Sequence, residues 1–264
     1  MNTRSHPRFP LKRAFLSTVI SAMACLGAAP ALASTITFES LLPEAHESGE
    51  TLTEAGYNLL LVDGPVAAYY GGVSGTGTIL DGNNPYSCDV AGCPSGADGQ
   101  YLAILNDGAV KLTQVGPNSG FKLLGFDFAF LMPVPVPNNN YGQLQVSGIT
   151  TGGVLYQQAL DFPGQDASGS FTFGGAALTN LFKSQLFASV TINACLFSDT
   201  GNCVNSFDDP AFNQAQFLLD NISLGEVPEP ASIVLTGLGM AALVWSRRRA
   251  VAPAARATFT FQGA

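Results

Sequence analysis

Positive charge is almost missing from the middle of this 264-residue chain. Residues 34–226 contain no arginine and three lysines, Lys111, Lys122 and Lys183, against 18 carboxylates, which leaves a net charge of −15. Such a surface repels phosphate backbones and excludes nucleic acid as a partner. The same segment holds one histidine, His46, and no tryptophan. Histidine-dependent catalysis and histidine-ligated metals therefore lack their side chains. Within Glu44-Ala45-His46-Glu47, His46 reads as a solvated loop residue. No G-x-S-x-G elbow is present, so nothing marks a serine nucleophile. There is no internal repeat of fixed period.

The missing positive charge sits at the two ends. Arg4, Arg8, Lys12 and Arg13 precede an apolar stretch, 14–27, and then Ala31-Leu32-Ala33. A basic start, a short apolar run and a small-residue cleavage pattern make a secretory signal over 1–33. The mature chain is expected to begin at Ser34. At the other end Val227-Pro228-Glu229-Pro230 precedes an apolar run, 231–245, and then Arg247, Arg248 and Arg249. A helix over that run is about 22 Å long, short for about 30 Å of hydrocarbon. The prolines stop any helix before it, and the arginines hold its far side in the cytoplasm.

This order resembles the PEP-CTERM sorting signal of Gram-negative bacteria. The resemblance covers 227–249. It implies an exosortase-type membrane peptidase as partner, transient inner-membrane anchoring, and release to the cell surface or the medium. It also implies company with exopolysaccharide. Residues 250–264 run on as a cytoplasmic tail where the family pattern usually ends.

Between the signals, 25 of 193 residues are glycine, close to twice the usual share of about 7%. Short stretches between them alternate with period two. Phe126, Phe128 and Phe130 fall on one face, with Asp127 and Ala129 on the other. Leu144 and Val146, Phe171 and Phe173, and Val190 and Ile192 alternate with polar neighbours. Thr150-Thr151-Gly152-Gly153 reads as a hairpin turn. Only 178–187 and 41–55 hint at a helical turn. The expected fold is all-β, a jelly-roll-like β-sandwich over 34–226, flanked by an N-terminal signal helix and a C-terminal short transmembrane helix. At this length it buries a full core.

Once Cys25 leaves with the signal, four cysteines remain. In an oxidising compartment they read as two disulfides. Sequence proximity favours Cys88 with Cys93 and Cys195 with Cys203, among three possible pairings. Loops this short gain about 2–2.5 kcal/mol each in the chain-entropy picture. The spacings do not suit zinc.

Carboxylates are the one chemically capable group in number. Asp220 is in phase with Leu218, Ile222 and Leu224, so it is a carboxylate on an apolar face. It should be neutralised, hydrogen-bonded or metal-bound. The stretches 35–39 and 218–224 resemble the two ends of an arrangement in jelly-roll carbohydrate-binding modules, where a first-strand Glu and a last-strand Asp share a structural calcium ion. The resemblance implies Glu39 and Asp220 as Ca2+ ligands. Calcium takes oxygen donors, which this chain supplies. A β-bulge that turns Asp220 outward or onto a backbone N–H is the other outcome. For sugar contact, the exposed-looking tyrosines are Tyr69, Tyr70, Tyr86, Tyr101, Tyr141 and Tyr156; Tyr86 and Tyr141 lie in loops where a ring can stack on a sugar. The expected role is non-enzymatic, with no catalytic residues: an exported surface or matrix protein associated with exopolysaccharide. A secreted polysaccharide hydrolase or lyase is the alternative, and it needs two carboxylates placed across a cleft.

Overall fold

The computed structural model describes residues 33–64, 75–84, 93–116, 120–131, 142–198, 200–204, 215–226, 238–239 and 241–242. Two compact units divide the chain: Ala31–Val227, and Met1–Pro30 with Pro228–Ala264. Every buried hydrophobic side chain described lies in the first, so that unit holds a complete core of its own. In the second, Leu238, Gly239, Ala241 and Ala242 are helical and exposed. Among the described residues no helix is long and apolar enough to cross a membrane. The signal stretch, the Pro-Glu-Pro motif, Arg247, Arg248, Arg249 and the tail lie outside them.

The first unit is all-β and, between its strands, antiparallel. Numbered in chain order, one half of the sheet runs β2 (Ala45–His46), β5 (Gly77–Asp81), β6 (Gln100–Ile104), β14 (Phe217–Glu226) and β8 (Phe121–Phe130). Onto it, β1 (Ala33–Ile36) pairs with β14 and β11 (Gly174–Gly175) with β8. The other half runs β10 (Leu155–Asp161), β9 (Gly142–Thr150), β12 (Phe187–Phe197), β7 (Ala109–Gln114), β4 (Tyr57–Val62) and β3 (Thr51–Glu54). A two-residue strand, β13 (Cys203–Val204), adds to β12, and one short helix, α1 (Asn180–Lys183), lies before it. Thr179 caps α1, its hydroxyl accepting from Phe182 N. Among the described residues a single strand pair, Phe121 with Phe187, links the halves.

Period-two alternation builds the core between them. Leu144, Val146, Val190, Ile192, Leu112, Leu59 and Leu61 come from one half, and Ile79, Leu102, Ile104, Phe126, Phe128, Phe217 and Leu219 from the other, all in one cluster. The first half is also covered on its outer face. Tyr101, Ala103, Ala129, Leu131 and Leu218 form a second cluster there, with Ala97 and Phe173 against it. The second half has no such cover among the described residues. Its outer face shows Gln, Asn, Ser and Thr.

Several expectations change at this point. The 41–55 stretch holds β2 and β3, not a helical turn. Phe171 and Thr172 make isolated bridges rather than a strand. His46 is buried, not solvated. Its Nδ1 lies 2.8 Å from Glu50 Oε2, and its Nε2 has no hydrogen-bond partner among the described residues. Tyr101 is also buried. Burial, and then the charge of Asp81, raise its hydroxyl to about 12. The Thr150–Gly153 turn does form the β9–β10 hairpin, with Gly153 at φ 80°.

Candidate functional site

Two places hold the side chains with chemistry. The first is the carboxylate pair. Asp220 on β14 sits directly opposite Asp127 on β8. Register shifts just beyond it, and Asn221 adopts φ 49°, so a β-bulge interrupts the strand. The bulge folds Asn221 back over both acids. Its N–H donates to Asp220 Oδ1 at 2.7 Å, and its Nδ2 donates to Asp127 Oδ2 at 3.0 Å and Asp220 Oδ2 at 3.2 Å. Glu39, exposed in the turn after β1, accepts from Gln100 N at 2.8 Å. Glu54 Oε2 accepts from Phe38 N at 2.9 Å. A side chain on Gly99 would collide with the Glu39 carboxylate, which explains a glycine at that turn.

Burial pushes the Asp220 carboxyl up to about 7; the charges of Asp127, Glu39 and Glu54 add to this, and the Asn221 N–H opposes it. No three His, Cys, Asp or Glu side chains converge as metal ligands among the described residues. Gln100 already occupies one oxygen of Glu39, and Asn221 both oxygens of Asp220. The described donors fall short of the six to eight oxygens that calcium takes.

The Asp220 shift fixes a sign. Its folded value lies above the unfolded one, near 3.9, so the native state binds more protons between those limits. Stability should therefore rise as pH falls from about 8 toward 4 through this group. Asp220→Asn keeps the acceptor for Asn221 N and removes the charge. We expect it to stabilise the protein at pH 8 by about 1–2 kcal/mol, after discounting for partial solvent exposure, and to have little effect at pH 4. Thermal melts of both proteins across that range check it. A variant that is less stable at pH 8 would refute the assignment.

The second place is the outer face of the β10-β9-β12-β7-β4-β3 half. Lateral register sets Gln157, Ser147, Thr191, Lys111, Leu60 and Thr51 in one row. The next row holds Ala159, Gln145, Asn193, Ala109 and Val62. The amides are already linked. Asn193 Nδ2 donates to Gln145 Oε1 at 3.2 Å, and Gln157 Nε2 to Ser147 Oγ at 3.3 Å. Gln143 Nε2 donates to Asp161 Oδ1 at 3.1 Å. Gln145 Nε2 also rests on the Cys195–Cys203 disulfide, 3.3 Å from the Cys203 sulfur. Gln145, Ser147, Gln157, Gln158 and Ala159 border an open depression of about 220 Å³. Lys111 in the first row and Asp161, beside Gln143, are the two charged side chains among these residues, so the face is close to neutral in an acidic domain.

Sequence reasoning missed this face. The signal was available in the repeated Gln and Ser of 143–147 and 157–158, but register alone puts them side by side. Cys195 and Cys203 are bonded as expected, their Cα atoms 5.4 Å apart. Cys93 is also disulfide-bonded, to a partner outside the described residues; Cys88 lies there. Tyr86 and Tyr141 lie outside them too.

Comparison with known proteins places the C-terminal segment. Residues 226–249 match the family described as the PEP-CTERM protein-sorting motif. The chain carries a PEP-CTERM sorting signal. That motif marks an exported protein routed through the membrane. No curated protein matches the chain. Among solved structures, a mutant of CBM29-2, a family 29 carbohydrate-binding module, is similar with 11% identity and a TM-score of 0.32, over 74% of this chain and 92% of that one. TmCBM61 in complex with β-1,4-galactotriose is 10% identical with a TM-score of 0.31, over 63% of this chain and 86% of that one. The enzymatically active domain of the bacteriophage CBA120 tailspike protein 4 is 12% identical with a TM-score of 0.31, over 74% of this chain and 21% of that one. These superpositions are loose, and no function follows from them.

Proposed function

We propose that this PEP-CTERM protein is a non-enzymatic component of the cell surface or extracellular matrix that associates with exopolysaccharide through the amide-and-hydroxyl face of β9, β10 and β12. The observation that carries the reading is the neutrality of that face. In a domain of net charge −15, this face carries Asp161 together with Lys111, and among the described residues it is the sheet surface left uncovered, presenting paired donors and acceptors. Sugar hydroxyls both donate and accept, and Gln, Asn, Ser and Thr match them on both counts. The prior links among these side chains hold them in place before binding, which lowers the ordering cost. An exosortase-type peptidase is the partner that processes the sorting signal.

Affinity electrophoresis of the 31–227 unit through gels of neutral glucan, galactan and mannan tests the reading. At least one polymer should retard it. Gln145→Ala combined with Asn193→Ala should weaken that retardation about fivefold to tenfold, the loss of one or two net hydrogen bonds. Absence of retardation by every polymer, or retardation indifferent to the double variant, rejects the face. The opposed Asp127 and Asp220, with one carboxyl raised, are the observation that favours a hydrolase instead. Release of reducing ends, lost in Asp220→Ala, would establish that second reading.

A further inference from the structure

The outer strand of the polar half is an open edge. Among the described residues β10 pairs with β9 alone. Thr150 N donates to Val154 O at 2.9 Å, which fixes the phase of the ladder. Gly148 with Tyr156, Val146 with Gln158 and Leu144 with Leu160 are then the pairs that exchange backbone hydrogen bonds. The N–H and C=O groups of Leu155, Gln157, Ala159 and Asp161 point away from the sheet and find no backbone partner among the described residues. All four residues are exposed. Proteins guard such edges with lysine, proline, a bulge or brevity. Here β3 has four residues and β2 has two, whereas β10 has seven and carries none of these guards.

Its charge pattern names what can approach. Residues 142–160 contain no charged side chain. Two copies of a domain with net charge −15 repel each other over most of their surface, so a homotypic contact needs a neutral stretch. The sequence of β10 also suits a two-fold. Antiparallel pairing of two β10 strands centred on Gln158 sets Gln157 against Ala159 and Leu155 against Asp161. Every outward-pointing backbone group then meets another outward-pointing group. No like charges face each other. The next pair out is Val154, 55% exposed, with Phe162. Beyond that, Gly153 at φ 80° would meet Pro163, so the turn and the proline end the ribbon at the same pair. An isologous contact of this kind closes on itself and makes a dimer rather than a fibre.

We propose that β10 is a self-association edge, through which two copies of this chain join their polar half-sheets into one continuous antiparallel sheet. The proposal goes beyond the glycan reading and does not depend on it. Sedimentation of the 31–227 unit over a range of concentrations tests it. The wild type should show a reversible monomer–dimer equilibrium. Ala159→Pro removes one outward N–H without touching the ladder to β9. Gln157→Lys with Ala159→Lys places like charges across the two-fold while lowering the net negative charge of the domain. Each should weaken dimerisation about tenfold or more, with circular dichroism and melting temperature close to wild type. If Ala159→Pro does not fold, the double-lysine variant decides. A wild type that stays monomeric at every concentration, or a dimer untouched by the double-lysine variant, overturns the proposal. Gln145→Ala with Asn193→Ala leaves the outward backbone groups of β10 in place, so its sedimentation reports this proposal separately from the glycan reading.

Discussion

Phe187→Ala is expected to destabilise the domain by about 3–5 kcal/mol, read as a lower denaturation midpoint at unchanged slope. Phe187 is fully buried and supplies the one ladder pair between the two half-sheets among the described residues. Its ring packs 4.7 Å from that of Phe182 and 6.5 Å from that of Tyr156. It also covers Gly148 so closely that any side chain there would overlap it. Alanine would empty this corner, and α1 and β10 would lose the surface they rest on. The same contact predicts the converse variant. Gly148→Val improves local strand propensity, yet it should destabilise by about 1–3 kcal/mol through overpacking. The two sites touch, so the double variant should cost less than the sum. A cost below about 1 kcal/mol for Phe187→Ala would mean that the halves are not joined here.

Replacing Pro228, Glu229 and Pro230 together with alanine should move the protein from the medium into the membrane fraction almost completely. The wild type recovered from the medium should lack residues 1–33 and end near Pro228–Pro230, as intact mass reports. The triple variant keeps the apolar 231–245 run and the three arginines. On the proposed sorting route, anchoring survives while the feature that the peptidase reads is lost. A variant released with the wild-type C-terminus would remove the motif from the sorting process. A wild type released with Ala264 still attached would do the same.

The strands were legible where one face is buried and the other polar. The 121–130, 143–147 and 187–194 segments alternate because each lies between core and solvent. Ala129 and Leu218 broke that rule. They fall out of phase with the core, yet they are buried under loops that pack on the outer face of the first half. A periodicity of two cannot report a second cover. The 41–55 stretch misled for a related reason: its two strands are two and four residues long, too short to show a period. At Asp220 the sequence phase picked out an unusual carboxylate, but the bulge turns Ile222 and Leu224 into the core and leaves Asp220 on the side of Leu218. Its opposite number, Asp127, was visible as a strand residue, but the 92 residues between them hide the pairing. The polar face depends on lateral register across six strands, which no local pattern encodes.

The disulfide under Gln145 gives the molecule a clock. Inside the cell its two sulfurs are reduced thiols, and the bond closes only after the chain has crossed into an oxidising space. Gln145 links the Cys203 sulfur to Asn193. Until the bond closes, Gln145 lacks this contact with the disulfide and the face lacks its fixed corner. The face proposed to meet a glycan would thus be completed last, after export.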